Sequence, residues 1–243
     1  MSAEGLHHVG NSTHLIVLGG IRILTDPWLT EPADHVLGHR VPPAPLPRDP
    51  AIILITHEHE DHLDPAALAL LDRGATVVCP TGKPEGRVRP LGFADVRGVA
   101  AGDRISVGDL QIEVVRGLHS VPEVCFHLSL GERAVFFGGD TMLTPEIDEL
   151  ARRRPTRFVI LPGERSSLLG KRYVMTPPES VALAQRFGAT TAVLSHHESR
   201  VIRKFPFGWM VRIPPPDPAE FPPWFRIPSP GEHLPFPWEH RTT

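Results

Sequence analysis

The chain has 243 residues, of which 41% are hydrophobic and 22% charged, and its formal net charge is -3. These values are typical of a soluble globular protein with one large domain or two small ones, and the near balance of charge disfavours nucleic acid or an anionic membrane as a partner. No apolar run approaches the ~18 residues that span a bilayer, and the N-terminal residues lack a secretion pattern. Two cysteines, Cys79 and Cys125, indicate a reduced cytoplasmic setting.

Apolar runs of strand length alternate with turn residues through the first 200 positions, and glycine turns join several of them as hairpins. The predicted strands are 15–18, 21–24, 52–55, 75–79, 96–100, 104–107, 110–115, 124–130, 134–137, 157–161 and 191–194. Strand 52–55 is apolar at every position, as expected when both faces of its sheet are covered. Capped segments at 64–71, 144–153 and 176–187 predict helices. This order predicts sheets sandwiched by helices.

Two segments are rich in proline. Residues 31–50 hold six prolines and predict a loop that could cover a site, with His35 and His39 as candidate substrate contacts. Residues 204–243 hold 11 of the 28 prolines and eight of the 16 aromatic residues. We interpret this C-terminal arm chiefly as a strap around the protein or around a second subunit of a homodimer, and alternatively as an apolar wall over a substrate pocket.

The strongest chemical signal among the 14 histidines is the segment Thr56-His57-Glu58-His59-Glu60-Asp61-His62. It lies between the buried strand 52–55 and the helix cap at Asp64. Ionisable groups this crowded would repel one another if protonated together, so coordination of divalent metal explains the cluster most simply. A solvated polar loop is the alternative.

Three further candidate ligands, His119, Asp140 and His196, come soon after the ends of predicted strands. Strand ends meet at one edge of a sheet, where α/β proteins place their sites. The glycines of Gly138-Gly139-Asp140 let the backbone come close to a ligand. We therefore expect these residues to join the histidine loop.

These motifs resemble the metallo-β-lactamase superfamily of metallohydrolases. The resemblance rests on the His-x-His-x-Asp-His signature followed by a histidine, a bridging aspartate and a final histidine, which match His57, His59, Asp61, His62, His119, Asp140 and His196. Asp26 in Thr25-Asp26-Pro27-Trp28 matches an aspartate that supports the histidine loop. The expected fold is a four-layer αββα sandwich with two mixed sheets and helices outside, in a single domain spanning 1–243 whose arm 204–243 returns to the sheet.

Within the superfamily the chain looks most like the branch containing ascorbate-6-phosphate lactonase and N-acylphosphatidylethanolamine phospholipase D. This finer resemblance rests on Thr25-Asp26-Pro27-Trp28, Gly139-Asp140-Thr141 and Met175-Thr176-Pro177. Two motifs depart from the branch. Gly10-Asn11-Ser12-Thr13 stands where relatives have Gly-His-Ala/Ser-Thr, and His196-His197-Glu198 stands where they have histidine, an aromatic residue and glycine. Either histidine could be the last ligand, and the register with strand 191–194 favours His196.

The resemblance implies a metal-dependent hydrolase with two divalent ions, most simply Zn²⁺, with Mn²⁺ or iron as alternatives. One ion would take His57, His59 and His119. The other would take Asp61, His62 and His196, with Asp140 and a hydroxide between them. The hydroxide would attack an ester, lactone, amide or phosphodiester of a small molecule. Asp61 could orient it, and His197 could protonate the leaving group. The alternatives are a di-iron redox enzyme and a nucleotide or nucleic-acid phosphodiesterase.

Overall fold

A computed structural model of the chain describes residues 3–31, 36–202 and 208–238. The strands are β1 (Gly5–Gly10), β2 (Thr13–Leu18), β3 (Ile21–Thr25), β4 (Leu37–His39), β5 (Ile52–Leu54), β6 (Thr76–Pro80), β7 (Asp95–Val99), β8 (Arg104–Val107), β9 (Leu110–Arg116), β10 (Val124–Leu130), β11 (Arg133–Phe137), β12 (Phe158–Pro162), β13 (Ser167–Leu168), β14 (Thr191–Ser195), β15 (Ser199–Val201), β16 (Val211–Arg212), β17 (Phe225–Arg226) and β18 (His233–Leu234). The α-helices are α1 (Pro65–Ala69), α2 (Lys83–Val88), α3 (Pro145–Arg153) and α4 (Pro177–Phe187).

Two mixed seven-stranded sheets face each other. The first has the order β18-β1-β2-β3-β5-β6-β7 and the second the order β17-β14-β12-β11-β10-β9-β8. Side chains of both sheets, such as Ile16 and Phe126, form the central core between them. A second core joins α3 and α4 to the outer face of the second sheet, and a third places Leu68 of α1 and Val88 of α2 against the first sheet. The predicted four-layer αββα sandwich is confirmed.

Local signals at the helix ends explain where the helices begin. The Asp64 side chain accepts from the backbone N of Ala66 and Ala67 at 2.9 and 3.1 Å and so caps α1. Its other oxygen accepts from the backbone N of Thr30 at 2.8 Å, which ties the segment after β3 to the start of α1. The capping box of Thr176 and Glu179 begins α4, as the sequence predicted.

Some elements differ from the sequence-based prediction. Helix α1 ends at Ala69, before the predicted end at Leu71. Helix α2 was not predicted, because Gly82, Pro84 and Gly86 make its sequence resemble a turn. The segment 31–50 is not loop alone: strand β4 lies within it and pairs with β15. His35 lies outside the described residues.

The C-terminal arm contributes to both large sheets in its described part. Strand β17 pairs in parallel with β14, and β18 pairs antiparallel with β1. Aromatic residues of the arm pack into the cores. Phe225 of β17 joins the core on the outer face of the second sheet, and Phe236 lies in the core between the two sheets. Strand β16 also pairs with β13 in a separate two-stranded sheet. Among the described residues, no helix combines the length and the apolar character needed to cross a bilayer.

Candidate metal centre

The predicted ligands come together at one edge of the sandwich, because each follows a strand end closely. His57 lies three residues beyond the end of β5, His119 three beyond β9 and Asp140 three beyond β11, while His196 directly follows β14. Gly139 permits the approach of Asp140. It has φ +61°, and a Cβ at this position would lie 2.6 Å from Glu123 Oε1.

Three histidines form one half of the centre, which we call the three-histidine half: His57, His59 and His119. His59 Nδ1 lies 3.0 Å from His57 Nε2 and 3.1 Å from His119 Nε2. His57 is buried, and the other two are partly exposed. Three ring nitrogens therefore face one point, the arrangement that a zinc ion with nitrogen ligands requires.

The other half, which we call the mixed half, consists of Asp61, His62 and His196. Asp61 Oδ2 lies 2.8 Å from His196 Nε2 and 3.8 Å from His62 Nε2. Asp140 Oδ2 lies 3.2 Å from the Nε2 atoms of both His62 and His196. Ligand atoms of His57, His62 and Asp140 also lie within 4.8 Å of one another, so Asp140 and its neighbours connect the two halves.

Groups behind the three-histidine half orient its rings. His119 Nδ1 donates to the backbone oxygen of Tyr173 at 2.8 Å, which leaves Nε2 free to face the centre. His57 Nδ1 donates to Thr56 Oγ1 at 2.9 Å and lies 3.3 Å from Glu123 Oε1. Glu123 also accepts from the backbone N of Asp140 at 2.7 Å. The same buried carboxyl group thus supports ligands on two chain segments.

Carboxylates stand behind the mixed half. His62 Nδ1 donates to Asp26 Oδ2 at 2.7 Å, and His196 Nδ1 donates to Glu164 Oε1 at 2.9 Å. Asp26 also accepts from the Thr56 backbone N and hydroxyl, both at 2.8 Å. With Nδ1 engaged in this way, the rings of His62 and His196 both present Nε2 to the centre. Asp26 and His196 have φ +35° and +58°, a strained backbone conformation that residues other than glycine adopt where the surrounding structure enforces it.

Burial and neighbouring charge separate the two halves. In the three-histidine half, burial lowers the pKa of His57 well below its usual value, that of His59 to about 4, and that of His119 as well. Nearby histidines lower the pKa of His57 further. These rings are therefore neutral near pH 7, the form that binds metal.

The mixed half has the opposite character. Burial alone would lower the pKa of His62, but Asp140, Asp61 and Asp26 raise it well above its usual value. Burial would raise the pKa of Asp140, but His196 and His62 lower it to about 2. The pKa of His196 is raised against the effect of burial by Asp140 and Glu164. This half thus contains an excess of buried carboxylate that favours a cation.

A cleft of about 690 Å³ opens over the centre. His59, Asp61, His119, Asp140 and His196 form its floor. Its walls are largely apolar and come from β4, β13, β16 and nearby segments: Trp28, Val36, Leu37, Leu168, Tyr173, Val174, Val211 and Ile213. Lys83 and Arg87 of α2 line the cleft beside Glu58, to which they donate at 3.1 and 2.9 Å.

His197, the predicted proton donor, is not brought to the cleft. It is buried, donates from Nε2 to the Pro228 backbone oxygen at 3.0 Å and stacks on His8 at 5.4 Å between ring centroids. His39, a candidate substrate contact, stacks behind Trp28 with 3.7 Å between centroids. A proton donor to the leaving group must therefore be sought among other groups at the cleft.

Sequence reasoning missed the supporting roles of Glu123 and Glu164 and the presence of Lys83 and Arg87 at the cleft. Glu123 is an isolated acidic residue directly before the apolar strand β10, a weak signal of a buried carboxyl group. Glu164 stands next to Arg165 in the sequence, which suggests a surface ion pair, but Arg165 pairs with Glu220 instead. Lys83 and Arg87 were missed because they lie on helix α2, which the sequence did not predict.

Comparison with known proteins agrees with this architecture. An isothiocyanate hydrolase from Delia radicum gut bacteria superposes with a TM-score of 0.75 over 95% of this chain and 98% of its own, at 19% identity. A metallo hydrolase from the archaeon Ignicoccus hospitalis superposes with a TM-score of 0.71 over 94% and 96% of the two chains, at 22% identity. These likenesses show a shared fold.

Sequence comparison gives the family. A "UPF0173 metal-dependent hydrolase" from Pyrobaculum arsenaticum is 25% identical over 218 residues, which cover 84% of this chain and 89% of the relative. The family model described as "Beta-lactamase superfamily domain" matches residues 21–197. The chain belongs to this family, and the predicted class of metal-dependent hydrolase is confirmed.

Proposed function

We propose that this protein uses two divalent metal ions in the cleft to hydrolyse an ester, lactone, amide or phosphodiester bond of a small molecule. One ion would be held by His57, His59 and His119. The other would be held by Asp61, His62 and His196, with Asp140 reaching both. These residues are those that the sequence predicted.

The orientation of the histidines is the observation that carries this proposal. In His57, His62, His119 and His196, Nδ1 donates to a group behind the ring, so that Nε2 is the nitrogen that faces the centre. Asp140 Oδ1 is also buried and has no hydrogen-bond partner. A buried polar atom without a partner is costly, and coordination of a metal would satisfy it.

The donor set of five histidines and two aspartates fits Zn²⁺ best, with Mn²⁺ or iron as alternatives. Bound divalent ions lower the pKa of water and stabilise the oxyanion that develops during hydrolysis. The residues of the chain supply the rest. Asp61, whose pKa is lowered by His62 and His196 in spite of burial, is an ionised acceptor that can orient water at the cleft floor.

The cleft walls support a small, partly apolar substrate. Apolar side chains on β4, β13 and β16 offer contacts to hydrocarbon, and Lys83 and Arg87 offer positive charge at one side. This lining favours a small molecule over nucleic acid. The resemblance to the lactonase and phospholipase D branch, a homodimer and a cytoplasmic location stay predictions from the sequence.

The test combines metal analysis with a substrate panel. Protein purified without chelator should contain zinc and hydrolyse at least one member of a panel of lactones, esters, amides, phosphodiesters and isothiocyanates. His57→Ala should lower both metal content and hydrolysis, whereas His7→Ala, at a partly exposed histidine outside the cleft, should lower neither. Full hydrolysis by His57→Ala would refute the proposal. Iron with a visible absorption band, and no hydrolysis, would favour the redox alternative.

A further inference from the structure

A second cluster of metal-ligand side chains lies in the part of the chain that the structure describes, away from the seven residues of the cleft. Ligand atoms of His8, His197 and Glu198 lie within 4.8 Å of one another. All three side chains are nearly inaccessible, at 1%, 6% and 4% exposure. They come from two distant segments: His8 is in β1 of the first sheet, and His197 and Glu198 follow β14 of the second.

We propose that His8, His197 and Glu198 form a separate structural zinc site that links these two segments. Two imidazoles and a carboxylate are ordinary zinc ligands, and a closed, buried site is typical of structural zinc. The proposal adds a metal to the two expected in the cleft and assigns it no part in hydrolysis.

The stacking of the two rings in this cluster matches that in the mixed half of the cleft. Glu198 oxygens lie 3.0 Å from His8 Nε2 and 3.7 Å from His197 Nε2, and the two rings stack with centroids 5.4 Å apart at 17°. In the mixed half, Asp61 Oδ2 lies 2.8 and 3.8 Å from the two Nε2 atoms. The His62 and His196 rings stack there at 5.3 Å and 16°.

Groups behind the cluster can orient its histidines as ligands. His8 Nδ1 lies 3.1 Å from His14 Nδ1, and His14 Nε2 lies 3.4 Å from Ser195 Oγ. If each ring donates along this chain, His8 keeps Nε2 free toward Glu198. This repeats the support that metal-binding histidines receive from neighbouring acceptors.

Two observations are left unexplained by hydrogen bonding within the protein. His197 Nδ1 is buried and has no partner, although the other ring nitrogen donates to Pro228. Asn11, whose backbone N donates to Glu198 Oε2 at 2.7 Å, has a fully buried side chain in which neither Oδ1 nor Nδ2 has a partner. Coordination through His197 Nδ1 would give this nitrogen a partner, while Nε2 would keep its hydrogen bond to the Pro228 backbone oxygen.

The site would also support the cleft. His196 is the residue next to His197, and its backbone N donates to the Asn11 backbone oxygen at 3.2 Å. An ion that joins His8 to the segment 197–198 would therefore fix the segment that carries a cleft ligand in its strained conformation, φ +58°. The inference does not depend on hydrolysis, because it concerns a different set of ligands.

Zinc stoichiometry tests the proposal. Full-length protein loaded with Zn²⁺ and freed of excess metal should contain about one equivalent more than Glu198→Gln, a substitution that keeps the shape of the side chain and replaces its carboxylate with a neutral amide. Glu132→Gln, in the exposed turn between β10 and β11, is the matched control and should bind as much zinc as the wild type. Equal zinc content in the wild type and a folded Glu198→Gln would overturn the proposal.

A second variant keeps the test decisive if Glu198→Gln fails to fold. His57→Ala/His62→Ala, which removes one histidine ligand from each half of the cleft, should retain about one zinc equivalent per chain. Complete loss of zinc from this folded double variant would overturn the inference. Failure of the proposed function is distinguishable, because the wild type would then hold one equivalent and Glu198→Gln none.

Discussion

The two halves of the cleft differ in charge although they share the same use of histidine. The three-histidine half has neutral rings whose pKa values burial lowers, and the acid behind it, Glu123, has a pKa raised well above its usual value by burial and by Asp140. The mixed half contains two carboxylates among its ligands, counting Asp140, and two more behind its rings. The three-histidine half therefore depends mainly on the orientation of its rings, whereas the mixed half also depends on negative charge.

The largest effect is expected at the residue that the two halves share. Asp140→Ala should reduce kcat/KM by about 1,000-fold or more, because it removes the carboxylate that contacts the mixed half and lies within reach of His57. Asp109→Ala, in the exposed turn between β8 and β9, should leave activity unchanged. Steady-state kinetics and metal analysis are carried out on both variants. Near-normal activity of Asp140→Ala would contradict the role of Asp140 in connecting the two halves.

Substitutions behind the rings test the difference in charge directly. Asp26→Asn removes the negative charge behind His62 and should weaken metal binding by about 10- to 100-fold. Glu123→Gln should weaken it by less than about 3-fold, since burial and Asp140 raise the pKa of this carboxyl group and so already disfavour its charged form. Competition with a chromophoric chelator measures both affinities. Equal losses of metal affinity in the two variants would contradict the difference in charge between the two halves.

A smaller effect is expected in the cleft wall, which belongs to neither half. Leu168→Ala removes apolar surface from β13 and should raise KM for an apolar substrate about 5-fold with little change in kcat. Leu143→Ala provides the control, because Leu143 is similarly exposed but does not line the cleft. A fall in kcat with unchanged KM would place Leu168 among the groups that act on the reacting atoms.

The smallest effect concerns the free energy of unfolding at acid pH. It is tested at a histidine that belongs to neither half of the cleft. Burial lowers the pKa of His127 to about 4 from 6.5. Because the unfolded chain binds this proton more readily, the stabilising contribution is present above pH 6.5 and is lost as the pH falls toward 4. Between about pH 7.5 and about pH 5 the loss is about 2 kcal/mol.

His127→Gln should remove that part of the pH dependence. Urea unfolding of metal-free wild type and variant at both pH values gives the comparison. An unchanged slope of unfolding free energy against pH in His127→Gln would show that acid sensitivity has another source.

The sequence was informative wherever function depended on neighbours along the chain. The residues from His57 to His62 are local to one strand end, and the predicted strands brought His119, Asp140 and His196 to the same edge. The groups behind the rings could not be predicted in this way, since Glu164 reaches His196 across 32 residues of chain and its partner is set by packing. The same applies to the cleft walls, because β16 meets β13 from more than 40 residues away.

The cluster around His8 shows the same limit. No local pattern relates His8 to Glu198, which lie 190 residues apart in the sequence and 3.0 Å apart between side-chain atoms. The adjacent pair His196-His197 was visible in the sequence, and the strand register favoured His196, whose Nε2 lies 2.8 Å from Asp61 Oδ2 and 3.2 Å from Asp140 Oδ2. The surroundings of His197 became apparent only when the two sheets were assembled.

Anomalous X-ray diffraction at the zinc absorption edge, on crystals of protein purified without chelator, tests the central claim most directly. The account predicts two peaks at the cleft floor, one bonded to the ring nitrogens of His57, His59 and His119 and one to Asp61, His62 and His196, at about 2.0–2.2 Å from the nitrogen and oxygen atoms. A fully active, zinc-loaded protein with no peak among these residues would contradict it.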